Sequence, residues 1–365
     1  MPRTFATRRA CASGTAAAVA AAAVLGLTTC GESNNSSRPP RAAVNLNLGY
    51  FANVTHAPAV IGVADGSYAR ALGPVRLTTT IYTSGPTAVQ ALLSGAVDAA
   101  YIGPSPAINA YVRSGGQAVR VVAGGVSGGT ALVVRPSITS AGQLAGRTVA
   151  DPQRGGTQDV ALKYFLKQHA LDFTNGGPGS VDVVSQSSAQ TLTLFRQGRI
   201  DGAWLPEPWV SRLQQQAGAK ILVDERTQWP GGDFTTTNLV VSDSYLRKHP
   251  QTVSALLKAQ VATTRSIRAD PAAAARTLRA DLRDLTGKAL PASVVTSALR
   301  NVNVGWDPYA ASLKIVAAHA VEVGLLEKDA DLSGIYDLRP LNAVLRAQQL
   351  PAVSDGGLGV EEGSS

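Results

Sequence analysis

Apolar positions along this chain change period several times, and each change marks an element. Residues 44–50 alternate as Val44-Asn45-Leu46-Asn47-Leu48-Gly49-Tyr50 and predict a first strand. Positions 58–71 predict a helix, and 75–82 a strand rich in β-branched residues. Short apolar runs at 118–123 and 131–134 read as buried strands on either side of a Gly-rich turn. A brief helix at 140–144 and a strand at 147–150 follow. Residues 156–169 place Val160, Leu162, Phe165 and Leu166 on one side of an amphipathic helix. Strands are expected at 181–184 and 220–223, and the β-branched run 236–241 crosses back toward the first half. Beyond Asp243 the pattern turns to successive helices at 250–269, 271–284, 291–300 and 308–324. Pro250, Pro271, Pro291 and Pro308 stand near their starts, where the missing N–H costs nothing.

Two segments inside this pattern align without a gap, 103 residues apart. The first runs from Ser84-Gly85-Pro86-Thr87 through Leu92 and Leu93 to Gly95-Ala96-Val97-Asp98 and Ala99-Ala100-Tyr101-Ile102-Gly103-Pro104. The second runs from Ser187-Ser188-Ala189-Gln190 through Leu192 and Phe195 to Gly198-Arg199-Ile200-Asp201 and Gly202-Ala203-Trp204-Leu205-Pro206-Glu207. Each reads as a helix opened by a hydroxyl residue, closed by Gly, and followed by a buried strand that ends in a Pro-containing turn. One copy per half predicts two doubly wound α/β lobes with a helical C-terminal return, and a ligand held between them. Helix–Gly–strand likeness common to any βαβ unit is the plainer alternative.

Composition narrows the class. The chain has 365 residues, 45% hydrophobic, with 36 Gly, which suits an α/β protein of two domains and not a disordered chain. The formal charge of +8 includes Arg3, Arg8 and Arg9 of an N-terminal leader, leaving about +5 scattered among acidic residues. No basic run interleaved with aromatics is present, so nucleic acid is not an expected partner. An Ala-rich apolar stretch from Ala16 to Leu27 is short for a bilayer span and reads as a signal peptide, residues 1–29. It leads into Thr28-Thr29-Cys30, which resembles a bacterial lipoprotein site with Cys30 lipidated, although Thr29 departs from the usual small residue. Thr7-Arg8-Arg9 also admits twin-arginine export. Residues 30–43, rich in Ser, Asn, Pro and Arg, then form a solvated tether. Cys11 and Cys30 are the only cysteines, so the exported body has no thiol for a disulfide or nucleophile. Lobe I is expected over 44–134 and 238–350, lobe II over 135–237, and a disordered Gly/Ser/Glu tail over 351–365.

Enzyme signatures are missing from the sequence. It contains no phosphate-loop lysine motif, no HExxH and no GxGxxG after a strand. Gly125-Val126-Ser127-Gly128-Gly129 matches GxSxG by letter, but a strand, not a helix, is expected after it, so no nucleophile elbow forms. No cofactor and no metal site is implied. What remains is four loops placed after predicted strands: Asn53-Val54-Thr55-His56, Ser84-Gly85-Pro86-Thr87, Gly103-Pro104-Ser105-Pro106 and Gly155-Gly156-Thr157-Gln158. Free N–H groups and the positive end of the macrodipole make helix starts natural oxyanion receptors. Simple capping is the alternative for each loop taken singly.

The Gly-Pro turn after Asp98-Ala99-Ala100-Tyr101, the Gly156-Thr157-Gln158-Asp159 helix start and the Glu207-Pro208-Trp209 turn resemble substrate-binding proteins of ABC importers for sulfonates, nitrate and taurine. The likeness runs from about Leu46 to Leu350 and includes Asp224-Glu225-Arg226 and Thr235-Thr236-Thr237. It implies a type II periplasmic-binding fold acting as a monomer outside the cytoplasm and delivering a small organic anion to a membrane permease. An aliphatic sulfonate is the expected ligand, with taurine, nitrate or bicarbonate as alternatives, and an enzyme on the same fold as the other class. Relatives that bind a thiamine-precursor pyrimidine carry a Cys cluster that this chain lacks. Carried over by position, ligand contacts fall at His56; at Ser84, Gly85, Pro86 and Thr87; at Gly103, Pro104 and Ser105; and at Gly156, Thr157 and Gln158. The same carry-over adds Glu207 and Trp209. Glu207 is the discordant member, since a carboxylate repels an anion: it either serves the hinge or meets a cationic group on the ligand. Trp209 either stacks on the ligand or packs beneath the loop.

Overall fold

A computed structural model describes residues 44–361 except Asn175 and Asp329; the segments expected as signal peptide and tether, with Cys30, lie outside the described residues. The chain opens with β1 (Asn45–Phe51), then α1 (Ala57–Ala64), α2 (Ser67–Leu72) and β2 (Arg76–Tyr82). The helix expected over 58–71 is therefore two, broken where Gly66 takes a φ of 72°. Then come α3 (Gly85–Leu93), β3 (Ala99–Ile102), α4 (Pro104–Arg113), β4 (Val119–Gly128) and β5 (Thr130–Val134). The middle of the chain holds β6 (Thr148–Asp151), α5 (Thr157–Gln168), β7 (Asp182–Ser185), α6 (Ser188–Arg196), β8 (Gly202–Pro206), α7 (Trp209–Ala217) and β9 (Lys220–Asp224). After β10 (Thr235–Ser242) stand α8 (Asp243–Lys248), α9 (Pro250–Ala269), α10 (Pro271–Thr286), α11 (Ala292–Asn301), β11 (Val302–Val304), α12 (Ala310–Glu322) and α13 (Arg339–Ala347).

These strands form two mixed sheets, one ordered β11-β4-β10-β3-β1-β2 and the other β7-β6-β8-β5-β9. Strand period explains why both faces of each sheet are covered. In the first sheet, Leu48, Tyr101 and Leu239 enter one core with α1, α2, α9 and α10, while Ile102 and Val240 enter another with α3, α4 and α12. In the second, Leu132 and Trp204 lie on the side of α5, whereas Val133 and Leu205 lie with α6 and α7. One chain of buried polar groups is tied together inside the first core. Tyr68 and Tyr101 hydroxyls meet at 2.9 Å, Tyr101 donates to Gln260 Oε1 at 2.9 Å, and Gln260 Nε2 donates to the Gly124 carbonyl.

Three boundaries differ from expectation. Thr130–Val134 was assigned to lobe I but pairs between β8 and β9 in the second sheet. The chain crosses earlier because Gly128 and Gly129 both adopt positive φ (67° and 73°), which turns it out of the first sheet before β5 begins. The return crossing is also earlier than 238, since all of Thr235–Ser242 pairs in the first sheet. The tail was expected to be disordered from 351, yet Leu358 is buried and Val360 N–H donates to the Tyr336 carbonyl, so 351–361 dock on lobe I; residues 362–365 lie outside the described residues. The amphipathic α13, which sequence reading passed over, buries Leu341, Val344 and Leu345.

Both copies of the repeated unit make the same contact. Asp98 Oδ2 accepts from Asn47 N–H of β1 at 2.8 Å, and Asp201 Oδ2 accepts from Thr148 N–H of β6 at 3.1 Å. In each case the aspartate also returns a backbone bond, Asp98 N–H to Asn47 O and Asp201 N–H to Thr148 O, both at 2.8 Å. Replacing either Asp by Ala strands a backbone donor at the foot of a central strand. Urea denaturation should therefore show Asp98→Ala and Asp201→Ala each losing about 1–3 kcal/mol. A loss in one copy with none in the other would show that the repeat is likeness without shared mechanics.

Candidate functional site

The carboxyl ends of β1 and β3 face those of β6 and β8 across the gap between the sheets, and each strand end leads into a helix start. After β1, Asn53 Oδ1 accepts from Val54 N–H at 2.9 Å and sets up the single helical turn Val54–His56. That turn buries His56 to 3% exposure and stacks its ring on Phe51, with centroids 4.6 Å apart. Phe51 N–H approaches His56 Nδ1 at 3.4 Å, so the neutral ring carries its proton on Nε2. Burial pushes the His56 pKa down to about 3, which keeps the ring uncharged at physiological pH.

After β3, Gly103 caps α4 with extended backbone, and Pro104 at the first helical position is pre-set for the turn. Ser105 follows with its hydroxyl buried and without a protein partner. Opposite it, β6 ends at Asp151 and the chain turns through 152–156 into α5, where Gly156 is the cap and Thr157 the first residue. Thr157 Oγ1 is likewise buried and unpartnered. The lobes meet closely here: Gly85 N–H donates to Gln153 Oε1 at 3.1 Å, and a Cβ on Gly103 would stand 2.5 Å from Thr157 Oγ1.

Between them is a cavity of about 50 Å³, large enough for a group of a few heavy atoms. From lobe I it is lined by His56, Gly85 and Gly103, and from lobe II by Thr157 and Gln158, all expected from sequence. Phe51, Asn53, Thr55, Pro106, Thr236 and Thr237 of lobe I and Gln153 and Pro206 of lobe II complete it. None of these is among the expected contacts, although Asn53, Thr55 and Pro106 stand in the candidate loops and the Thr-rich return is part of the resemblance. Gln153 stands just ahead of the Gly155-Gly156-Thr157-Gln158 loop and carries no signal of its own. The starts of α3, α4 and α5 thus converge, each adding a positive partial charge worth about 0.3–1 kcal/mol to an anion, more when partly buried.

The remaining expected contacts lie elsewhere. Ser84 caps α3 by position, Pro86 and Thr87 are exposed, and Pro104, Ser105 and Gly156 are buried behind the lining. Glu207 does not reach the cavity. The two-residue strand period that points Pro206 into the cleft turns Glu207 toward α7. There its carboxylate accepts from Ser211 N–H at 3.0 Å, Ser211 Oγ at 2.9 Å and Asn301 Nδ2 of lobe I at 2.6 Å. Burial raises its pKa, and these bonds oppose the rise. Trp209 packs on the lobe II core, with the Arg212 guanidinium 4.3 Å from its ring centroid. Ser127 lies within β4 with β5 directly after it, so no nucleophile elbow is formed. Among the described residues no cluster of His, Cys, Asp or Glu could hold a metal ion, and no helix is long and apolar enough to cross a membrane.

Residues 39–280 match the NMT1-like family. The chain belongs to that family. It is 27% identical over 229 residues to the taurine-binding periplasmic protein of Escherichia coli (strain K12), covering 63% of this chain and 68% of that one. The periplasmic nitrate-binding protein NrtA from Synechocystis PCC 6803 superposes with a TM-score of 0.71 at 16% identity, covering 85% of this chain and 90% of that one. The periplasmic aliphatic sulphonate binding protein SsuA from Escherichia coli gives 0.64 at 21% identity, with 80% and 96% covered. The fold of this NMT1-like chain is accordingly the type II periplasmic-binding fold.

Beneath the 152–156 loop, Asp151 and Asp159 are fully buried. Asp159 accepts from Gly155 N–H at 2.7 Å and pairs with Lys163 at 2.7 Å, while Asp151 accepts from Ser185 Oγ at 2.9 and 3.0 Å. Burial first, then the charge of Asp159, holds the Asp151 carboxyl up to about 7. The folded state therefore binds this proton more tightly than the unfolded chain, whose Asp titrates near roughly 3.9. Stability from this group is complete below about pH 4 and lost as pH rises through about 7. Thermal melts across that window should flatten in Asp151→Asn; an unchanged slope would place the titration elsewhere. Gly103→Val should keep the lobes apart by collision with Thr157, giving a larger radius of gyration in solution scattering with unchanged circular dichroism.

Proposed function

We propose that this protein is an extracytoplasmic substrate-binding component of an ABC importer. It captures a small organic anion between its lobes and hands it to a membrane permease. The observation that carries this reading is the meeting of three helix starts around the unpartnered Thr157 hydroxyl in an interlobe cavity. Free N–H groups, the Nε2–H of a neutral His56 and a buried hydroxyl are all donors, and together they suit an oxyanion without a formal cation. The names of the relatives (taurine-binding, nitrate-binding and aliphatic sulphonate binding) agree in being small oxyanion ligands, and an aliphatic sulfonate is the ligand proposed here.

Binding, not turnover, is the proposed activity: the cavity joins no Ser–His–Asp set and no thiol. The proposed carrier is a monomer that needs no cofactor and no nucleic acid. It is held at the outer face of the cell membrane by lipid on Cys30, with Gly103 and Thr157 meeting as the lobes close.

Differential scanning fluorimetry against alkanesulfonates, taurine, nitrate and bicarbonate tests the ligand class. At a hundredfold excess over Kd, the bound anion should stabilise the fold by about 2.7 kcal/mol. No shift with any of them would overturn the anion assignment, and mass balance showing conversion of the bound molecule would overturn binding as the activity.

A further inference from the structure

We propose that the cleft selects a monoanion that carries no ammonium group, an alkanesulfonate in preference to the aminoalkanesulfonate of equal length. This rests on the anion-binding reading above and names the chemistry that the same site rejects. A zwitterionic ligand needs a receptor for its cation as well as for its anion. Among the described residues, no Asp or Glu side chain lines the cavity.

The nearby carboxylates are committed elsewhere. Glu207 faces α7 and α11 and is held by Ser211 and Asn301. Asp159 serves Gly155 and Lys163, and Asp151 serves Ser185, both beneath the loop and fully buried. Several neutral acceptors at the cavity are engaged too, the Thr157 hydroxyl and the Gln158 amide being the exceptions. Asn53 Oδ1 holds Val54 N–H, and Gln153 Oε1 holds Gly85 N–H across the cleft. The Thr236 and Thr237 hydroxyls donate to the Gly128 and Thr55 carbonyls. Their remaining lone pairs sit in the positive field of the α3, α4 and α5 starts, which attracts an anion and by the same sign opposes an ammonium. Closure removes the water that would otherwise solvate that charge, since Gly103 and Thr157 pack against one another at the cavity wall.

Gln158 offers the means to invert this preference. It lines the cavity at the second position of α5, where a carboxylate is favourable to the helix, so Gln158→Glu should fold. Isothermal titration of the full chain at neutral pH with ethanesulfonate, taurine and nitrate separates the possibilities. Ethanesulfonate should bind at least about 100-fold more tightly than taurine, the scale on which a buried group without its partner is rejected. Gln158→Glu should narrow that ratio at least about tenfold by weakening ethanesulfonate and strengthening taurine. Taurine binding as tightly as ethanesulfonate, or a ratio unmoved by Gln158→Glu, would overturn the proposal. Nitrate binding without either sulfonate would sink it and leave the anion cleft standing, whereas no heat with any of the three would remove both.

Discussion

In a parallel sheet with right-handed crossovers, every helix that follows a strand begins at that strand's carboxyl edge. Here the carboxyl edges of β1 and β3 face those of β6 and β8, so the starts of α4 and α5 are brought face to face. The rest of the molecule follows from that placement. The cores on both faces of each sheet hold the edges rigid, and the crossings between lobes let the edges approach. The polar lining of the cleft is largely a set of helix starts and strand ends.

Charge is handled away from this edge. Glu207 bridges α7 to Asn301 of lobe I, and Glu225 is fully buried where the chain leaves β9, accepting from Trp204 Nε1 at 2.6 Å and from the Thr130 hydroxyl. Burial raises the pKa of both, and directed donors offset that penalty. Both carboxyls thus brace the segments around the hinge. On the opposite side of lobe II, Tyr164 stacks on His319 of lobe I and Lys167 donates to the Glu322 carbonyl at 2.8 Å, so contacts flank the cleft at α5 and α12 as well. The cleft itself is lined by neutral groups, so no fixed cation is desolvated there.

Much of the architecture was legible because it depends on local periodicity. The four helices expected from Pro250 onward, α9 to α12, fall within a few residues of their expected bounds, since Pro at a helix start and an apolar stripe are local signals. The repeated unit was legible for the same reason, and Asp98 and Asp201 turn out to share one strand-tying contact in both lobes. Less legible was the crossing at Gly128-Gly129, because a run of small and β-branched residues has the same pattern whether it stays in one sheet or leaves it. The docked segment 351–361 carried no such signal because its apolar anchors, Val353 and Leu358, follow neither a helix nor a strand period.

By itself the sequence determined two α/β lobes, the helical return and the loops at strand ends where an anion would be received. The loops that hold His56, Gly85, Gly103, Thr157 and Gln158 were readable because helix starts after strands are local features, and these five residues line the cavity. Only the tertiary structure decided which neighbours join them. Gln153, Thr236 and Thr237 come from segments far apart in the chain, and their meeting depends on how the lobes close. It also decided the side chains at the second turn. One residue of strand period separates Pro206, which faces the cleft, from Glu207, which faces the hinge, and that alternation is set by which face of β8 meets α7.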